Sequence, residues 1–310
     1  MRVVIALGGN ALLRRDEAQT ADNQRRNVEV AARALAPVAA RHELVVTHGN
    51  GPQVGLLALQ GAAYEPDNLY PLDILDAETE GMIGYLIERE LGNVLGPDRP
   101  IASLLTQVRV DAKDPAFAKP TKPIGPVYAQ PVARKLADER HWSIVADGDG
   151  FRRVVASPRP LFIVELGVIR LLVEHGVVVV CAGGGGIPVV EKSDGSLVGV
   201  EAVIDKDHAS ALLARELGAD ALLMLTDVDA LYDARVRPTR APWSRASSAT
   251  LRRMDFETGT MAPKVAAACD FVEATGGIAG IGRLADAGAI LEGDAGTTVT
   301  RDADVTAWRN

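Results

Sequence analysis

Short, wholly apolar runs recur along this 310-residue chain, and they constrain its fold more than any other feature. Residues 3–7 (VVIAL), 177–181 (VVVVC) and 221–226 (ALLMLT) show almost no alternation of apolar and polar side chains. A strand of that kind is buried on both faces, which requires a mostly parallel sheet covered by helices. Residues 44–47, 101–106 and 278–281 read as further strands. Residues 23–41, 52–63, 73–95, 160–174, 205–217 and 263–274 carry helical patterns. Gly96-Pro97 closes one of these helices, and Gly176, Gly218 and Gly276 stand just past the ends of others, where a C-terminal cap is expected. The expected class is α/β, an open αβα sandwich with a mostly parallel sheet.

Composition narrows the field of functions. Lys plus Arg number 33 and Asp plus Glu 41, for a net charge of −8, which argues against a general nucleic-acid binder or a polybasic membrane-surface protein. Apolar residues make up 47% and aromatics only 4%, so the core is aliphatic. Cys181 and Cys269 lie in a strand-like and a helical pattern, which fits two buried thiols in a reducing compartment rather than a disulfide framework. No signal peptide is legible near Arg2, and the apolar stretch 177–190 is too short and too broken by glycine to span a bilayer. The expected location is the cytoplasm. The length suggests two domains at about 150 residues each. Two stretches break the α/β rhythm. Residues 111–157, rich in Pro and charge, read as an inserted, protruding subdomain or lid. Residues 233–248 read as an exposed loop.

Three glycine-rich loops follow three strands: Gly8-Gly9-Asn10, His48-Gly49-Asn50-Gly51-Pro52-Gln53-Val54-Gly55 and Gly183-Gly184-Gly185-Gly186-Ile187-Pro188. One such loop is an ordinary tight turn. Three at the C-terminal ends of strands in an α/β protein, where ligands sit, point to an anion cradle of backbone N–H groups. There is no P-loop pattern, no nucleophile elbow and no metal-ligand spacing among the five His and two Cys. His48 reads at least as well as a structural residue as a functional one. The second loop also matches a relaxed dinucleotide fingerprint, Gly49, Gly51 and Gly55, which supports an alternative reading as a nicotinamide- or flavin-binding protein.

Three lysines favour a different chemistry. Lys206 and Lys264 are expected at helix starts, with Pro263 at a first helical position. A cation there opposes the helix dipole at a cost of a few tenths of a kcal/mol, up to about 1, so its removal is expected to leave stability unchanged or slightly raised. Lys122, bracketed by Pro120, Pro123 and Pro126, is expected in a stiff loop. For each lysine, a solvated surface residue is the ordinary alternative. Three lysines and three anion cradles suit phosphoryl transfer, where catalysis is mostly positioning and charge neutralisation. A carboxylate acceptor is already deprotonated near pH 7, so no general base is required.

The segments Ala6 to Leu12, His48 to Gly55, Leu105-Thr106-Gln107-Val108, Pro120 to Pro126, Gly183 to Val189, Gly199 to Asp207 and Met261-Ala262-Pro263-Lys264 together resemble the amino acid kinase family, in its carbamate kinase branch. The segment 120–126 and its surrounding insertion are the most specific part. The resemblance implies an amino acid kinase fold, a homodimer, and reversible transfer of phosphoryl between ATP and carbamate, giving ADP and carbamoyl phosphate, with Mg²⁺. It implies use toward ATP synthesis in arginine or allantoin/purine catabolism. It also implies an acceptor-binding N-terminal lobe, 1–215, and a nucleotide-binding C-terminal lobe, 216–310. By position, Lys206 and Lys264 stabilise the transferring group, Asp207 orients them, and Lys122 reaches in from the subdomain. Gly8, Gly9, Asn10, Gly49, Asn50 and Gly51 hold the phosphoryl group and the carbamate, with Gly184 and Gly185 on the acceptor side. Thr226, Asp227, Val228 and Asp229, together with the 258–261 loop ending in Met261, line the nucleotide. Many relatives carry a lysine where this chain has Ala6, a charge that Lys122 would replace.

Overall fold

The structure, a computed structural model, describes residues 1–13, 17–65, 67–232, 242–256, 261–301 and 307–308. The chain opens with β1 (Arg2–Leu7), a single helical turn α1 (Gly9–Leu12) and α2 (Ala21–Arg41). Then come β2 (Glu43–His48), α3 (Gly51–Tyr64) and α4 (Leu72–Leu95). Two short strands follow, β3 (Ile101–Ser103) and β4 (Gln107–Val110). The insertion holds β5 (Lys122–Tyr128), α5 (Gln130–Arg140), β6 (Ser143–Asp147) and β7 (Gly150–Val155). The chain returns through β8 (Pro160–Ile163), α6 (Leu166–Glu174), β9 (Val178–Val180), β10 (Ile187–Glu191), β11 (Leu197–Gly199) and α7 (Lys206–Glu216). It ends with β12 (Ala221–Thr226), β13 (Trp243–Ser247), α8 (Ser248–Leu251), α9 (Met261–Thr275), β14 (Ile278–Arg283), α10 (Ala287–Glu292), β15 (Thr297–Thr300) and β16 (Ala307–Trp308).

Among the described residues the main sheet orders its strands β16-β13-β15-β14-β12-β1-β2-β9-β3. The six from β14 to β3 are mutually parallel. Their apolar runs are explained by burial on both sides. Val3, Ile5 and Leu7 pack with α2 and α4, whereas Val4 and Ala6 pack with the layer of α6, α7 and α9. Each such Val, Ile or Leu side chain contributes about 1.5–3 kcal/mol on leaving water. Because β1, β2 and β9 are neighbours and parallel, the three glycine loops that follow them emerge side by side at one edge of the sheet. The end of β12 lies at the same edge. No described helix is long and apolar enough to cross a membrane, and both cysteines are buried and free.

Four expectations change. Residues 101–106 are not one strand: the chain leaves the main sheet after Ser103 and enters a second sheet, ordered β11-β10-β4-β8, at Gln107. Residues 160–174 are not one helix. Pro160 starts the edge strand β8, a position where a missing N–H is tolerated, and the helix begins only at Leu166. Within 233–248, residues 233–241 lie outside the described residues, but Trp243–Ser247 form a strand in which Trp243 and Ala246 are buried rather than exposed. Lys122 is not in a loop: it is the first residue of β5, in an antiparallel sheet ordered β5-β7-β6.

Candidate active site

The N-terminus of α7 brings the charged groups together. Asp205 caps the helix, its Oδ1 accepting from the N–H groups of Asp207 at 2.9 Å and His208 at 3.3 Å. Its other oxygen accepts from Lys122 Nζ at 2.6 Å, tying the insertion to the core. Asp207 sits between the two remaining lysines, with Lys206 Nζ at 2.5 Å and Lys264 Nζ at 3.1 Å. Ser210 Oγ donates to Lys206 O and contacts Thr47 Oγ1 at 2.6 Å, which fixes this turn against β2.

These lysines are not solvated surface groups. The side chains of Lys206 and Lys264 are 12% and 11% exposed, and that of Asp207 is 4% exposed. Burial alone would raise the Asp207 carboxyl, but Lys206 and Lys264 hold it below the usual range. Burial also opposes the lowering of Asp205, which Lys122 and Lys206 overcome. Burial would lower Lys206, yet Asp207 and Asp205 hold it above its ordinary value. Lys264 is lowered, by burial first and by Lys206 second, against the pull of Asp207. The expectation that removing either lysine leaves stability untouched is therefore corrected, since each compensates a buried carboxylate. Pro263 is also displaced from its expected place: it is the third residue of α9 as described, and Lys264 the fourth.

The glycine loops converge on this group. A Cβ added to Gly49 would lie 3.4 Å from both Gly9 N and Lys206 Cδ, so the first loop, the second loop and Lys206 are in contact. Gly8 N donates to Leu225 O at 2.9 Å, and Gly49 N to Leu7 O at 3.1 Å. Gly184, Gly185 and Gly186 all have positive φ, which only glycine adopts without strain. Gly184 lies directly on the Asn50 side chain, and Gly185 on the backbone of Ile204, just before the α7 cap. Asn50 Nδ2 donates to Asp76 Oδ1 at 2.9 Å and to Thr79 Oγ1 at 3.0 Å, which fixes its amide. Gly51 begins α3. The Asn10 side chain lies outside the described residues.

His48 is fully buried beside Gly183, and burial takes its pKa down to about 4. It is neutral and structural. Gly55 does not serve a dinucleotide either. A Cβ there would lie 2.1 Å from Gly125 Cα, so this glycine exists to let α3 meet β5 of the insertion. The described site thus assigns one glycine of the relaxed fingerprint to packing.

Thr226, Asp227, Val228 and Asp229 continue from β12 at the same sheet edge, with Thr226 Oγ1 donating to Asp227 Oδ1 at 3.0 Å and Asp229 accepting from the Tyr232 hydroxyl at 2.8 Å. Met261 begins α9 as described, while residues 257–260 lie outside the described residues. Sequence reasoning missed Asp205, Asp76, Thr79 and Glu80. The N-cap pattern of an aspartate before Lys206 was a legible signal for the first; the others read as the polar face of a helix.

Comparison with known proteins agrees with this arrangement. The family model described as amino acid kinase family matches residues 1–280. Carbamate kinase of Rhizobium meliloti (strain 1021) is 53% identical over 310 residues, covering 99% of this chain and 96% of that protein. Carbamate kinase of Haemophilus influenzae is 54% identical over 301 residues, with 97% of each chain covered. Among solved structures, carbamate kinase from Giardia lamblia bound to AMP-PNP superposes with a TM-score of 0.88 at 40% identity, covering 97% of this chain and 98% of that one. The chain belongs to the amino acid kinase family, in its carbamate kinase branch.

Proposed function

We propose that this protein is a carbamate kinase, transferring phosphoryl between ATP and carbamate to give ADP and carbamoyl phosphate. The observation that carries the reading is the buried Lys206–Asp207–Lys264 cluster in contact with the glycine loops. A carbamate oxygen attacks the γ-phosphorus, the bond from that phosphorus to the β–γ bridging oxygen breaks, and ADP leaves with the electron pair. Negative charge accumulates on the transferring oxygens and the bridging oxygen. Lys206 and Lys264 neutralise it, with Asp207 holding both ammonium groups in place before the reaction begins, so that little reorganisation is needed.

Gly8, Gly9, Gly49, Asn50 and Gly51, with Asn10, border the phosphoryl group and the carbamate; the Gly8 and Gly49 N–H groups and the Asn50 amide N–H groups are bonded within the protein and act by holding the loops in shape. Gly184 and Gly185 border the acceptor, and Lys122 completes the positive lining. The nucleotide lies along Thr226, Asp227, Val228, Asp229 and Met261. No proton is removed from the acceptor, which agrees with a neutral, buried His48. Among the described residues no three His, Cys, Asp or Glu side chains are placed to hold a metal ion. When bound, Mg²⁺ on the nucleotide phosphates would supply neutralisation of the polyphosphate charge.

The proposal extends to the lobes, with the acceptor half at 1–215 and the nucleotide half at 216–310, to use toward ATP synthesis in arginine or allantoin/purine catabolism, and to a cytoplasmic homodimer. The exposed Met82 and Tyr85 on α4, with Leu105 over Gly81, support a subunit contact on that face. Sedimentation tests the dimer. A coupled assay tests the activity: Mg²⁺-dependent ATP formation from ADP and carbamoyl phosphate, and none from acetylglutamyl phosphate. Folded protein that is inactive there, yet binds a nicotinamide or flavin tightly, overturns the reading.

A further inference from the structure

The glycine loop at 183–186 is steered from below by an acidic side chain that the proposed chemistry does not use. Glu80, on α4 and 1% exposed, accepts from Gly183 N at 2.7 Å through Oε1 and from Thr106 N at 3.0 Å through Oε2. Thr106 adds a second tether, its Oγ1 accepting from Ala182 N at 2.9 Å. The same helix holds the second loop through Asp76 and Thr79, which fix Asn50. A helix interior offers no reason to bury a carboxylate, and doing so is costly unless its hydrogen bonds are all well made. Here one oxygen is spent on the first N–H of the loop and the other on Thr106, whose Oγ1 and carbonyl in turn accept from Ala182 N and Ile187 N on either side of the loop.

We propose that Glu80 is a positioning residue for the acceptor site: its carboxylate sets the register of the 183–186 loop and so aims Gly184 and Gly185. This rests on the carbamate kinase reading for its kinetic consequence, though not for its structural one. The loop's run of positive φ angles makes its conformation depend on outside anchors rather than on local preference. A charged carboxylate accepts from both N–H groups. A neutral carboxyl directs its own hydrogen at one of them and holds less well. Burial pushes the Glu80 carboxyl up to about 8, against the pull of the Thr106 and Gly183 N–H groups. The titratable groups facing it are Glu165 before α6, Cys181 after β9, His48 at the end of β2 and Asp76 on its own helix.

The test compares Glu80→Gln, Thr106→Val and Thr106→Ser with the wild-type protein. The amide of Glu80→Gln keeps the volume of the carboxylate but faces one N–H with a donor. Peptide-level hydrogen exchange, which needs no activity, is expected to speed up across 182–186 in Glu80→Gln and Thr106→Val, and to stay unchanged at 226–229. Steady-state kinetics with carbamoyl phosphate and ADP are expected to show the carbamoyl phosphate KM raised roughly 10- to 100-fold, with the ADP KM unchanged. In the wild type the carbamoyl phosphate KM falls as pH rises through about 8; Glu80→Gln lacks the inflection. Thr106→Ser restores wild-type behaviour. Unchanged exchange at 182–186 in a folded Glu80→Gln, or equal rises in both KM values, overturns the proposal. If Glu80→Gln does not fold, Glu80→Asp, which keeps the charge but shortens its reach to Gly183 N, decides it by the same readouts. A wild type that is inactive while its exchange responds as described would defeat the carbamate kinase reading and leave the positioning role standing.

Discussion

Two regions supply the lysines, and they are built differently. Lys206 and Lys264 stand at helix N-terminal turns packed on the main sheet, buried around one aspartate. Lys122 stands on β5 of the insertion, its side chain 29% exposed, and reaches the core at Asp205. The main sheet is covered on both faces by apolar layers. The insertion leaves half of the residues of β5 and β6 exposed and is anchored by a few side chains, among them Ile124, Val154 and Val155. Beside the contact of α3 with β5, a cleft of about 790 Å³ opens between α3 and α4, with Leu57 and Leu75 on that wall, and the α5–β7 part of the insertion, with Trp142 and Arg153 on the other. The difference teaches a division of labour. The sheet edge fixes charge in place, and the insertion delivers one more charge on a lightly held arm suited to a lid.

Substitutions and a change of pH break or sharpen that contrast. The largest effect belongs to Lys206→Ala and Lys264→Ala, each expected to lower turnover by roughly 10²–10³. Each also leaves Asp207 with one lysine fewer, costing about 1–3 kcal/mol in denaturant unfolding. Lys122→Ala is expected to lower turnover on the order of 10² and to lower melting only modestly, since Asp205 loses its ammonium partner but keeps its two backbone N–H donors, while dimerisation and ADP affinity by calorimetry stay near normal. Lys122→Arg rescues only in part, because a planar fork is a poor substitute for a compact charge. A Lys122 variant that melts early would make the insertion structural.

Gly55→Ala drives a methyl group into Gly125 at the junction between core and insertion. It is expected to cost about 1–3 kcal/mol and to show first as faster proteolysis within 111–157, with ADP affinity unaffected. The smallest effect is on pH. The Asp205 and Asp207 carboxyls are held low, so their contribution is present above the ordinary carboxylate pKa of about 3.9 and is lost as pH falls below it. Glu80 is raised to about 8, so stability declines as pH climbs from its ordinary value toward 8. Thermal melts across pH 5 to 9 are expected to flatten on the alkaline side in Glu80→Gln.

The contrast also explains what the sequence revealed. Doubly buried strands have a local signature, so β1, β9 and β12 were legible from their valines and leucines, and the glycines after them marked the loops. Which loops become neighbours depends on strand order, and spacing does not encode it. Residues 160–163 misled because Leu161 and Phe162 fit a helical pattern as well as an edge strand. The burial of Lys206 and Lys264 was hidden because a lysine's environment is set by distant partners, here Asp207 shared across 57 positions. Asp76, Thr79 and Glu80 share one face of α4 and look like a solvated stripe; only the fold places that face under the loops.

The most direct test of the account is ATP formation from ADP and carbamoyl phosphate by the wild-type protein and by Lys264→Ala, with a melting curve on the same samples. The account predicts an active wild type and a folded variant reduced by roughly 10²–10³. A folded Lys264→Ala protein that matches the wild type would contradict it, because the lysine cluster would then not be where phosphoryl transfer occurs.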